Sequence, residues 1–164
     1  MIRLPSFNKP TERRSANMRA ILSSGNKTTE VRLLSLLKEH RLRGWKLHPP
    51  HFPGNPDLVI PKGKLAVFLD GCFWHGCPKC GHIPKTNRAY WRVKIARNRT
   101  RDARITRTLR KSGYHVVRIW ECDLRLHPNK CISRIRRIVV ETTRTDRVPR
   151  SRLEPSPDPN YTVR

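Results

Sequence analysis

The chain has 164 residues, of which 36% are hydrophobic, enough for one ordinary domain with a modest core. Its 36 lysines and arginines outnumber 12 aspartates and glutamates, which gives a formal net charge of +24. Such a surface attracts polyanions, with nucleic acid first among them, although a basic protein without enzymatic activity has the same composition. No apolar run reaches the roughly 18–20 residues of a membrane span, and residues 1–17 lack the apolar segment of a secretory signal.

The two ends of the chain differ from its middle. Residues 1–17 and 142–164 are polar and contain several prolines, so we expect a flexible basic arm and a disordered tail around one folded domain at 18–141. Thr28-Thr29-Glu30 can cap a first helix that ends by Gly44. The apolar stripe of this helix consists of Val31, Leu33, Leu34, Leu36 and Leu37.

The rest of the domain alternates strands and helices. A short strand is expected at 45–48, and apolar runs at 58–60 and 65–69 predict a hairpin of two buried strands. Residues 87–112 predict a long helix with ten basic residues and one acid, whose inward residues are Trp91, Ile95, Ile105 and Leu109. A strand at 114–122 and a helix that Pro128 opens, buried through Ile132, Ile135, Ile138 and Val139, complete an α-β-β-β-α-β-α order with a mixed sheet.

Two acidic residues stand at the ends of the hairpin strands. Asp57 precedes the first strand and Asp70 ends the second, so antiparallel pairing is expected to bring their carboxylates together. Two converging carboxylates need a cation, and Mg²⁺ suits carboxylate, carbonyl and phosphate oxygens. The alternative for Asp57 is a turn residue, because Asn55-Pro56-Asp57 is a typical turn sequence.

This Pro-Asp, hairpin, Asp pattern resembles the core of the PD-(D/E)xK nucleases. The lysine usual in that core is absent, because Cys72 stands at its position. His75 is the candidate replacement, since a histidine can take a proton from water near neutral pH. Its alternative role is a metal ligand, which the neighbouring cysteines make unnecessary.

Five cysteines predict a metal site rather than a disulfide framework, because three of them form a C-x₄-C-x₂-C cluster. Cys72, Cys77 and Cys80, with Cys122 at the end of the last strand, can close a tetrahedral Zn²⁺ site. The same spacing is compatible with a plant-type iron–sulfur cluster. Zinc is favoured because nothing else indicates electron transfer. Cys131 is expected to be buried in the last helix, and His82 is a weaker candidate ligand.

Six sequence runs, in collinear order within about residues 11–126, resemble the very short patch repair endonucleases. These are NMRAI at 17–21, TEVRLL at 29–34, FPGNPDLVI at 52–60, DGCFWHGCPKCGHIPKTNRAYW at 70–91, KIARNRTRD at 94–102 and VVRIWECDLR at 116–125. The resemblance implies a restriction-endonuclease-like fold with an αβββαβ core. It also implies Mg²⁺-dependent nicking of DNA 5′ to the thymine of a T·G mismatch that arises from deaminated 5-methylcytosine, and a structural zinc.

The resemblance assigns roles to individual residues. Asp57 corresponds to the magnesium-binding aspartate and Leu69 to a main-chain carbonyl ligand of the same ion. His75 corresponds to the catalytic histidine, and Glu30 to a glutamate near the active site. Asp70 stands where some members have a second active-site histidine, which leaves its role open. The zinc ligands correspond to Cys72, Cys77, Cys80 and Cys122.

The resemblance also assigns the DNA contacts. Phe73, Trp74 and Trp91 correspond to aromatic side chains that wedge into the duplex beside the mismatch, and Met18 belongs to a helix that embraces DNA. Core packing is the alternative for these rings, with equal weight for Trp91. Arg19, Arg88 and Arg97 are expected to contact phosphates.

Three functions remain open from the sequence. The first is the mismatch endonuclease, expected to be monomeric, cytoplasmic and nucleoid-associated, in contact with mismatch-repair proteins and a repair polymerase. The second is a restriction-type or transposon nuclease on the same core, which would cut without a mismatch. The third is a non-catalytic zinc protein that binds DNA through charge, for which Asp57 and His75 would be unnecessary.

Overall fold

The computed structural model describes residues 27–145 together with Leu4, Pro5 and Glu12. Met18, Arg19 and most of the predicted arm and tail therefore lie outside the described residues. The described helices are α1 (Lys27–Glu39), α2 (Arg88–Lys111), α3 (Glu121–Leu126) and α4 (Pro128–Thr145). The strands are β1 (Lys46–Leu47), β2 (Leu58–Ile60), β3 (Leu65–Asp70) and β4 (His115–Trp120).

The four strands form one mixed sheet in the order β1-β2-β3-β4. β2 pairs antiparallel with both β1 and β3, which confirms the predicted hairpin. β3 and β4 are parallel, with Phe68 opposite Arg118 and Asp70 opposite Trp120. A parallel pair needs a long connection, and α2 supplies it. The order αβββαβ and the mixed sheet flanked by helices confirm the predicted fold class.

The core has two layers because side chains of β3 alternate between the faces of the sheet. Leu65 and Val67 pack on one side with α1, α3 and α4, through residues that include Leu33, Leu124 and Ile135. Ala66 and Phe68 pack on the other side against Leu109 of α2. Among the described residues, no helix is long and apolar enough to cross a membrane.

Several predicted boundaries and faces were wrong. Val31 is 58% exposed, so the buried stripe of α1 begins at Leu33. The first helix ends at Glu39, and Gly44, with φ +78°, lies in the turn before the two-residue β1. β4 ends at Trp120, where the chain enters a helix absent from the prediction, so Cys122 belongs to α3. α4 continues to Thr145 and so extends past the predicted domain boundary at residue 141.

The turn between β2 and β3 packs directly against α4. A Cβ added to Gly63 would lie 2.9 Å from Cγ2 and 3.2 Å from Cα of Val139. Gly63→Ala should therefore lower the free energy of unfolding by about 1–3 kcal/mol in urea denaturation, because the added methyl overpacks this contact. The exposed Lys62→Ala is the control and should change it by less than about 0.5 kcal/mol. A fully stable Gly63→Ala variant would show that this contact does not hold α4.

Candidate active site and metal centre

Asp57 is a partly buried carboxylate that the backbone of the neighbouring strand holds in place. Its Oδ2 accepts a hydrogen bond from the Leu69 N–H at 2.7 Å. Burial raises the pKa of the Asp57 carboxyl above its ordinary value of 3.8, although the Leu69 N–H opposes this. Because desolvation disfavours the charged form, a cation beside Asp57 would stabilise the carboxylate.

Glu30 and His48 lie beside Asp57. Oε1 of Glu30, from the first turn of α1, lies 3.1 Å from Nε2 of His48. The His48 N–H donates to the Asp57 carbonyl at 3.1 Å. His48 lowers and Glu30 raises the pKa of the Asp57 carboxyl. The sequence analysis therefore predicted Glu30 as a neighbour of Asp57 but did not predict His48, because no local pattern distinguishes this histidine from the others.

Asp70 is paired with an arginine that the sequence analysis did not name. Both of its carboxylate oxygens accept hydrogen bonds from Arg118, from Nε at 2.6 Å and from Nη2 at 2.5 Å. The parallel strand β4 carries this guanidinium to the end of β3, where it neutralises the Asp70 carboxylate. The predicted approach of the Asp57 and Asp70 carboxylates stays a prediction.

His75 is held by a carboxylate from α2. Its Nδ1 lies 2.5 Å from Oδ2 of Asp102 and 3.6 Å from Oδ1 of Asp70. Asp102 is buried, and its other oxygen lies 3.4 Å from Nη2 of Arg118. A carboxylate on Nδ1 fixes the tautomer with a proton on that nitrogen and leaves Nε2 able to accept one.

Asp102 and Arg118 are site residues that the sequence prediction missed. Asp102 carried a usable signal, since it is the one acid in a helix with ten basic residues. An acid that is buried on such a helix needs a partner from elsewhere, and His75 is that partner. Arg118 carried no comparable signal, because its pairing with Asp70 spans 48 positions of the chain.

Four of the five cysteines converge on one point. The Sγ atoms of Cys72, Cys77, Cys80 and Cys122 all lie within 4.8 Å of one another. Those of Cys77 and Cys122 are 3.7 Å apart, close to the edge of about 3.8 Å of a tetrahedron with metal–sulfur bonds of about 2.3 Å. The donor set fits a single tetrahedral ion. Neither His75 nor His82 belongs to this cluster, and Cys131 is buried outside it.

The thiols of this cluster respond unequally to burial. Burial raises the pKa of the Cys72 thiol well above its ordinary range, and it raises that of Cys122 to about 11. Burial acts in the same sense on Cys77, but hydrogen bonds from the backbone N–H groups of Cys80 and Lys79 outweigh it and lower its pKa to about 7. Four thiolates this close repel one another, so a cation at their centre is what would keep them all ionised.

The three predicted wedge residues form one aromatic cluster. The ring of Phe73 lies 5.0 Å from that of Trp74 and 4.9 Å from that of Trp91, in edge-to-face geometry. Trp91 is 8% exposed, whereas Phe73 and Trp74 are partly exposed. Asn98 donates to the Trp74 carbonyl at 2.8 Å and so fixes the loop to α2. The buried Trp91 thus anchors the cluster, and the other two rings are partly exposed to solvent.

The proposed phosphate contacts lie on α2 and beyond the described residues. Arg88 is exposed in the first turn of α2, and Arg97 is partly buried near its middle. Met18 and Arg19 lie outside the described residues. Their contacts with DNA stay predictions.

Comparisons with known proteins converge on one family. The profile of the family described as DNA mismatch endonuclease Vsr matches residues 7–80. The type II nicking enzyme V.XorIIP of Xanthomonas oryzae pv. oryzae is 40% identical over 115 residues, which cover 69% of this chain and 82% of that protein. The DNA mismatch endonuclease Vsr of Escherichia coli K12 is 38% identical over 114 residues, covering 68% and 71%.

A solved structure, the catalytic domain of the homing endonuclease I-Bth0305I, superposes with a TM-score of 0.48 at 21% identity. The superposition covers 70% of this chain and 95% of that domain.

The four-sulfur centre predicts a clear difference between two buried cysteines. Cys122→Ala should lose the bound metal and unfold at a markedly lower temperature, because the centre joins α3 to the loop after β3. Cys131→Ala, also buried but outside the cluster, should keep one metal ion per chain. Elemental analysis of both purified variants measures this. Equal metal content in the two variants would contradict the assignment of Cys122 as a ligand.

Proposed function

Because the chain belongs to the DNA mismatch endonuclease Vsr family, we propose that it nicks one DNA strand 5′ to the thymine of a T·G mismatch, with Mg²⁺ as cofactor. The reaction would initiate very short patch repair of deaminated 5-methylcytosine. One observation carries the proposal. The loop directly after β3 holds His75 against Asp102 and also holds Phe73 and Trp74 against Trp91. Hydrolysis and mismatch sensing are therefore assigned to neighbouring positions of one loop.

Asp57 and the Leu69 carbonyl are the groups that would hold Mg²⁺. Both offer hard oxygen ligands, and the raised pKa of the buried Asp57 carboxyl supports a place for a cation. Bound Mg²⁺ would supply positive charge to the phosphate and acidify a water molecule. Glu30 lies near Asp57 and adds negative charge to the proposed Mg²⁺ site.

His75 is the proposed general base. Asp102 accepts a hydrogen bond from the Nδ1–H of His75, which orients the ring. Nε2 is then free to take a proton from the attacking water. Asp70 is proposed as a positioning residue, because Arg118 occupies both of its oxygens and its Oδ1 lies 3.6 Å from His75. This assignment differs from that of a metal ligand paired with Asp57.

The aromatic cluster is the proposed mismatch sensor. A T·G wobble pair distorts the duplex little, so base-edge contacts discriminate it poorly. Inserting Phe73 and Trp74 beside it would test how easily the step opens, at a cost of a few kcal/mol of unstacking. The buried Trp91 packs edge-to-face against both rings and so fixes their position.

Zinc is the proposed ion of the four-cysteine centre. Four sulfur atoms within 4.8 Å of one another have the spacing to coordinate a single ion, whereas thiolates on the two irons of a cluster must lie farther apart. The centre would fix the loop that carries His75 and the aromatic rings. Elemental analysis that found iron in place of zinc would favour the cluster.

Further properties belong to the same proposal. We expect a cytoplasmic, nucleoid-associated monomer with an N-terminal arm at 1–17, an endonuclease domain from 18 and a disordered C-terminal tail. Contacts with mismatch-repair proteins and a repair polymerase are expected as well. The alternative function is a restriction-type nicking enzyme that cuts without a mismatch, and the relative V.XorIIP has the name type II nicking enzyme. Such an enzyme would also nick a matched T·A duplex, whereas the proposed mismatch endonuclease would not.

Asp57→Asn should abolish nicking of a T·G duplex in Mg²⁺ while duplex affinity stays within about threefold, because the basic surface is unchanged. The variant should not be less stable at neutral pH. The folded-state pKa of Asp57 is raised, so the charged form opposes folding as pH rises above its ordinary 3.8, and asparagine removes that charge. The exposed Glu141→Gln is the control and should nick normally. Nicking by Asp57→Asn would rule out the proposed site.

Truncating Phe73 and Trp74 together to alanine should lower T·G nicking by about 10–100-fold per ring, the scale of one stacked base. Non-specific affinity should change little, because phosphate contacts supply it. Phe52→Ala removes a partly exposed ring that packs on Tyr114 and controls for general destabilisation. Single-turnover nicking of T·G and T·A duplexes measures the effect. An unchanged T·G preference in the double variant would show that both rings only pack the core.

A further inference from the structure

A cleft of about 780 Å³ opens beside the His75–Asp102 pair. Its long wall is one face of the second half of α2, with Arg99, Arg107, Arg110 and Lys111. Arg118 and Trp120 of β4 line the cleft as well. None of these four α2 cations has a role in the proposed hydrolysis or in mismatch sensing.

The charge of this cleft is strongly unbalanced in favour of cations. The two carboxylates that line it, Asp70 and Asp102, are already engaged by Arg118 and His75. No ion pair within the described residues engages Arg99, Arg107, Arg110 or Lys111. Four exposed cations therefore face one concave surface without a carboxylate of their own, and their summed field attracts a polyanion.

The dimensions of the cleft favour an extended polyanion. Arg99 and Lys111 are twelve residues apart on α2, which is about 18 Å along a helix that rises 1.5 Å per residue. One DNA strand places a phosphate about every 3.4 Å along the duplex axis, so several phosphates match this length. A single free phosphate would engage only part of the cation row.

The cleft also begins at the proposed reaction centre. His75 and Asp102 form part of its lining. A Cβ added to Gly76, the residue after His75, would lie 3.6 Å from Cδ of Arg99, so the first cation of the row stands against the catalytic loop. A strand that presents a phosphate to His75 has its next phosphates within reach of this row.

We propose that the cleft between the second half of α2 and the end of β4 binds the phosphates of the DNA strand that is nicked, on one side of the scissile bond. This inference rests on the proposed function, since it takes His75 as the group at the scissile phosphate. It assigns Arg107, Arg110 and Lys111 as binding residues that extend the footprint beyond the mismatch.

The test compares two triple variants of equal charge. Arg107→Gln, Arg110→Gln and Lys111→Gln remove three of the four α2 cations of the cleft and keep Arg99. Arg134→Gln, Arg136→Gln and Arg137→Gln remove three exposed cations of α4 on the other side of the sheet. Duplex affinity is measured without divalent ions between low and moderate salt. The slope of log affinity against log salt should fall by about 0.9 for each phosphate that the cleft variant no longer neutralises, and stay unchanged in the α4 variant.

Neutral methylphosphonate linkages identify the strand. Placed singly in the nicked strand on one side of the scissile bond, they should weaken wild-type binding and leave the cleft variant unaffected, since the partner charges are gone. Placed in the opposite strand, they should affect both proteins equally. Thermal unfolding confirms that the variants fold, and Arg110→Gln alone replaces the triple variant if they do not.

Three outcomes would overturn the proposal. If the cleft variant keeps the wild-type slope of affinity against salt, the cleft does not bind DNA. The same conclusion follows if the slope falls equally in the cleft variant and the α4 variant. Binding of free thymidine monophosphate that depends on the cleft cations, with the DNA slope unchanged, would assign the cleft to a small phosphate ester. The proposed function fails separately. A wild-type protein without preference for T·G, whose cleft variant still loses salt dependence, would refute mismatch nicking and leave the cleft as a DNA site.

Discussion

The convergence of four cysteine sulfurs is the constraint on which the active site depends. The backbone N–H of Cys122 donates to Sγ of Cys72, fifty positions away, so the centre ties the loop after β3 to the start of α3. Residues 71–82 contain turns rather than helix or strand, and Cys77 is the one fully buried side chain among them. Such a loop has too little apolar contact to order itself, because fixing each residue costs about 1–2 kcal/mol. An ion bound by the four sulfurs would supply the ordering that the core does not.

A second constraint is the charge network beneath His75. Arg118 spans Asp70 and Asp102, lies 4.7 Å from the ring centre of Phe68, and has one buried Nη1 without a hydrogen-bond partner among the described residues. Two carboxylates near one imidazole would repel each other if this guanidinium were absent. The network therefore orients His75 at low electrostatic cost.

The sequence predicted those features that local patterns encode. Continuous apolar runs identified the β2–β3 hairpin, and helical apolar spacing identified α2. The clustered cysteines, together with Cys122, gave all four members of the sulfur cluster. The sequence did not predict the guanidinium on Asp70, because strand ends indicate which carboxylates come near one another but not which cation each one binds. Asp102 contacts His75 from α2, and its isolation among basic residues was a signal that went unused. Arg118 contacts Asp70 and Asp102 from β4, which only the assembled sheet reveals. The helix α3 was missed because its six residues continue a strand-like run without a turn signal.

The central claim is that one metal-fixed loop joins mismatch sensing to hydrolysis, and the position of the nick tests it most directly. Duplexes that differ only in T·G or T·A at one position, labelled on each strand, are incubated with the zinc-loaded protein and Mg²⁺. The account predicts a single nick 5′ to the mismatched thymine, in that strand alone, and none in the T·A duplex. Equal cleavage of both duplexes, or cleavage of both strands, would contradict it.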